Sequence, residues 1–180
     1  MESHKLSCSA GFFLILALLI LLVPFSWLGA MVVAAAIHEF CHYLTIVLLT
    51  GRRAGIRLLS GSAKIPLPEM TPWQEAVCAL AGPLGGLLLI PLYTVFPRLA
   101  LCGLVQSLYN LLPIYPLDGG RLLRCVLSGV LQPPKVDSMM KAVTVVIRVC
   151  VCLVGIFCTF YLHFGIFPIL IAILICIRAK

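Results

Sequence analysis

The sequence predicts an all-α polytopic membrane protein with about six transmembrane helices and one short hairpin-like loop at the membrane. Composition is the first observation behind this. Of 180 residues, 62% are hydrophobic and 11% charged, against about 45–50% and about 25% in ordinary soluble domains. Too little polar surface exists to cover such a chain in water, and disorder requires low hydrophobicity. The second observation is the length of the apolar runs. The third is where the basic residues fall between them. Together they give a single domain, 1–180, embedded in a lipid bilayer.

The runs fix the elements in order. A spanning helix needs about 20 apolar residues. Between Gly11 and Thr50 only His38, Glu39 and His42 interrupt a run of apolar or small residues. As one helix this run would measure about 60 Å, twice the hydrocarbon core. It must fold back, and Pro24–Gly29 is the expected turn, giving spans near 11–23 and 29–50. Residues 51–75 carry four basic residues and three prolines. There, 54–59 and 63–67 flank Gly61 as a short hairpin. Uncharged runs place further spans near 76–97 and 99–116. Residues 119–141 read as a basic, partly amphipathic connection. The run 142–177 is again too long for one span and divides into 142–162 and 164–177.

Orientation follows from charge. With six spans and both termini in the cytoplasm, eleven of the thirteen Lys and Arg lie inside, as cytoplasmic loops require. Arg98 lies outside, and Arg148, two turns into its span, can snorkel. Net charge is +7. Because the basic residues lie between apolar runs, topology explains it and nucleic acid is not an expected partner. A cleavable signal before Ala36 is disfavoured, since the chain stays apolar well beyond Val23. The nine cysteines are odd in number and lack any C-x-x-C. They read as small apolar residues rather than a disulfide framework.

His38-Glu39-Phe40-Cys41-His42 is the sharpest motif. Positions i and i+4 share a helix face, so two imidazoles there can hold one metal ion. Glu39, next to the first, can reach water on that metal. Ionisable groups at bilayer depth are costly and default to a functional reading. A buried polar cluster that only pins helices together is the competing reading. Catalytic zinc takes three protein ligands plus water, and Asp118 is the acidic residue placed to supply the third. It lies in Asn110–Arg121, where two prolines and two glycines are expected to exclude a helix. Irregular backbone at that depth must be buried or line a wet cavity. A turn or cap is the plain alternative for Asp118. His4 and His163 are expected at the interface. Gln106, Ser107 and Asn110 are either polar lining for water or interhelical hydrogen bonds.

Three stretches then resemble the site-2 protease family of intramembrane zinc metalloproteases: H-E-F-C-H at 38–42, A-G-P-L-G-G at 81–86 and N-L-L-P-I-Y-P-L-D-G-G at 110–120. The resemblance covers about residues 29–125 and implies a three-helix catalytic core. It is greatest to the stage IV sporulation protein FB group, whose C-terminal CBS domain is not expected here. The resemblance implies His38, His42 and Asp118 as ligands of one Zn2+ per chain and Glu39 as catalytic base. It implies Asn110 as a substrate or oxyanion contact, with an interhelical bond as its plain reading. Gly82, Gly85 and Gly86 are expected to serve close helix packing. Cys41, pointing away from the His pair, is expected to pack. The implied partners are a membrane-embedded protein substrate, such as a tethered transcription-factor or sigma-factor precursor, and a regulatory membrane protein. A prenyl-type protease would need a later acidic ligand, and no acidic residue follows Asp137. A non-catalytic scaffold or metal-binding membrane protein remains the alternative.

Overall fold

The computed structural model describes residues 24–51, 57–59, 62–64, 70–161, 169, 172 and 173. The span expected at 11–23 lies outside these residues, as does most of the one at 164–177, and with them His4 and His163. The described chain is helical apart from one two-stranded ladder. It divides into two compact units, Met1–Tyr109 and Asn110–Lys180.

In the first unit, α1 runs from Phe25 to Thr50. Pro24 caps it, its carbonyl accepting from the N–H groups of Trp27 (2.9 Å) and Leu28 (3.1 Å). The turn expected at 24–29 is therefore a helix start: only Pro24 stays outside, because its own missing N–H costs nothing there. Gly51 ends the helix at φ 66°, its N–H bonded to the Val47 carbonyl at 2.8 Å. This left-handed position is one that glycine takes without strain. Ala34, His38, His42 and Ile46, at steps of four, are buried on one face. Phe40, Leu44 and Leu48 are 58%, 42% and 73% exposed. Polar groups inside and large apolar ones outside is the pattern of a helix facing lipid.

Strands β1 (Arg57–Leu59) and β2 (Ser62–Lys64) pair antiparallel, Leu58 opposite Ala63. The next helix, α2, spans Pro72–Leu87 and packs along α1. It begins four residues before the expected span. Thr71 and Gln74 form a capping box there and Pro72 takes the first helical position, where its fixed φ is pre-organised. A 3-10 turn, Ile90–Thr94, leads to α3, Pro97–Asn110. Fourteen residues make about 21 Å, short of a full bilayer core. The span expected to reach 116 stops at 110, where the Pro-rich segment begins.

The second unit opens with a tight connection, 111–117. It holds a cis Tyr115–Pro116 bond and a hydrogen bond from Leu117 N–H to Ile114 carbonyl at 2.8 Å. Helix α4 then runs Asp118–Ser128. This corrects the expectation that prolines and glycines exclude a helix: the prolines end at 116, and Gly119 and Gly120 lie in the first turn of α4. Close packing overrides their poor propensity. A Cβ on Gly119 would stand 2.7 Å from the Leu112 carbonyl oxygen and nearer still to that of Leu111. Helix α5, Pro133–Phe160, begins nine residues before the expected span, again with proline in the first turn. Arg124 of α4 meets Asp137 of α5 at 3.4 Å. Phe25–Thr50, Pro72–Thr94 and Pro133–Phe160 are long and apolar enough to cross a membrane.

Candidate metal centre

Helix α1 carries His38 and His42 one turn apart on its buried face, 3% and 7% exposed. Their rings stand edge to face with centroids 4.7 Å apart. Their Nε2 atoms approach to 3.2 Å. The Nδ1 of His42 lies 2.7 Å from the Cys78 carbonyl of α2. A carbonyl only accepts, so Nδ1 carries the proton and Nε2 of the neutral ring presents its lone pair. That is the arrangement in which a ligating histidine is oriented by a second partner. Glu39 is half-buried beside this pair. Cys41 packs on Gly85, where a Cβ would meet its Sγ.

Asp118 is the first residue of α4 and is 8% exposed. A carboxylate in a first helical turn faces the positive end of the helix dipole, which favours its charged form. One turn on, the Arg121 guanidinium lies 3.7 Å from it. His38 and His42 offer two imidazole donors, and Asp118 is a candidate carboxylate donor. All three residues are buried. Two imidazoles and a carboxylate are a donor set that zinc accepts, so these residues fit the expected ion. Asn110 closes α3 and is half-buried. Ser107 resolves to its interhelical reading: fully buried, it donates to the Pro83 carbonyl at 2.8 Å.

Residues 91–155 match the model of peptidase family M50. Over 106 residues the chain is 32% identical to a Synechocystis sp. protein named "Putative zinc metalloprotease". That match covers 49% of this chain and 28% of the relative, so the chain spans little more than a quarter of that protein's length. The site-2 protease from Methanocaldococcus jannaschii superposes with a TM-score of 0.69 at 22% identity, over 96% of this chain and 87% of that one. The chain shares its fold with a site-2 protease. This likeness rests on architecture, at an identity too low to carry activity across.

Two contributors to the site escape sequence reading. One is the Cys78 carbonyl, a backbone group with no sequence signal. The other is Gly82, which faces the imidazole rings. The sequence marks it as one glycine of A-G-P-L-G-G, read there as packing, and as a residue before proline, where a Cβ adds to the crowding that disfavours helix.

Proposed function

We propose that the chain is a zinc-dependent intramembrane endopeptidase of site-2 type. It would hydrolyse a peptide bond in or near a transmembrane segment of a membrane-embedded protein substrate. The observation that carries this is the buried His38–His42 pair, its Nε2 atoms 3.2 Å apart and His42 oriented by the Cys78 carbonyl, with Glu39 next in sequence to His38 and Asp118 proposed as the third ligand. The match to a peptidase family and the relative named a zinc metalloprotease support it. One zinc ion, held by those three residues, would lower the pKa of a water and polarise the scissile carbonyl. Glu39 accepts the proton of the attacking water and returns it to the leaving amine. Asn110 is proposed as a substrate contact.

A substrate helix hides its carbonyls in its own hydrogen bonds and must unwind first. The β1–β2 ladder offers an edge to which an unwound segment can pair. Tethered transcription-factor or sigma-factor precursors are the proposed substrate class, and the proposed setting is the cell membrane with both termini cytoplasmic.

The decisive variant is Glu39→Gln. It should keep its zinc and lose cleavage of a single-span membrane substrate in proteoliposomes. Cleavage at the wild-type rate would overturn the assignment of Glu39.

A further inference from the structure

We infer that Gly82 is a positioning residue for the metal centre, holding open the space in which the two imidazoles reach their ligating orientation. The inference rests on the proposed zinc site and extends it to α2. Helix α2 meets the rings at two points one turn apart. At Cys78 its carbonyl fixes Nδ1 of His42 at 2.7 Å. At Gly82 it presents bare backbone. A Cβ there would stand 2.6 Å from His42 Cε1 and 2.8 Å from His38 Cε1, and closer still to His42 Nε2. Carbon atoms do not approach so closely, because packed interiors already sit at van der Waals contact.

His42 cannot retreat without breaking its bond to Cys78. Turning either ring swings its Nε2 off the shared focus. Neighbouring glycines do other work. A Cβ on Gly85 would meet Cys41, and one on Gly86 would meet Ser107 and the Gly103 carbonyl. Of the three, Gly82 alone faces the ligands.

Pro83 supplies a rival explanation, since a glycine before proline also relieves backbone crowding. A double variant separates the two. Gly82→Ala/Pro83→Ala removes that crowding and leaves the collision with the rings. We would purify the full chain in detergent and titrate zinc against a chelating dye, following cobalt absorption as a report on ligand geometry. Gly82→Ala and the double variant should both bind zinc about tenfold to a hundredfold more weakly than wild type, the range for disturbed support of metal ligands. Their cobalt spectra should shift. Gly85→Ala should stay within about threefold of wild type, because its Cβ would meet Cys41 and not an imidazole. Zinc binding by Gly82→Ala at wild-type strength would overturn the inference, as would recovery in the double variant. Loss of folded protein in both Gly82 variants would assign the glycine to helix packing and overturn it too. Wild type that binds no zinc would instead bring down the proposed function itself.

Discussion

In α1 the polar groups ride on an unbroken helix, whereas in 110–128 one polar group is delivered by a break in the backbone. His38 and His42 share a face because four residues make about one turn, and Cys78 and Gly82 of the neighbouring helix complete their setting. Asp118 opens a helix because α3 stops at Asn110, a seven-residue connection follows, and α4 starts at the aspartate itself. The first arrangement is set by periodicity and the second by termination. Regular helix gives fixed spacing between ligands. A helix start adds favourable electrostatics for a carboxylate. The break is tolerated at the cost of tight contacts, with Gly119 pressed on the carbonyls of Leu111 and Leu112 and Gly120 on that of Ile114.

This contrast can be broken at either end. The largest effect should come from Glu39→Gln on α1, about a hundredfold to ten-thousandfold in cleavage rate, the span of general acid–base catalysis. Zinc content, read in the same preparation, should not fall. Asp118→Asn should follow. It keeps the shape of the side chain and removes the charge, so zinc affinity should drop at least about tenfold by chelator competition while the detergent-solubilised fold melts as before. If α4 depends on close approach, Gly119→Ala should lower thermal stability by about 1–3 kcal/mol, the cost of overpacking. Differential scanning fluorimetry in detergent would read it. An unchanged melting temperature would show that the connection can relax. The smallest effect belongs to Ser107→Ala, which loses one interhelical hydrogen bond to Pro83 and should cost about 0.6 kcal/mol.

How much of this was legible in the sequence divides along the same line. Apolar runs and H-E-x-x-H placed α1 and the imidazole pair, because both depend on local period. The start of α4 was not legible. Gly119 and Gly120 argue against a helix by propensity, and only their contacts with Leu111 and Ile114 explain why the helix forms. The same holds at Pro133, where a basic stretch read as a connection is the opening of a 28-residue helix. Gly82 was read as packing. Its contact with the rings depends on how α2 lies along α1, which no spacing within α2 records.

Zinc per chain is the most direct measurement, taken by atomic absorption on the purified chain and on His38→Ala and Asp118→Ala. The expected result is about one zinc in wild type and loss from both variants. Zinc retained by Asp118→Ala would contradict the three-ligand centre and place the third ligand elsewhere.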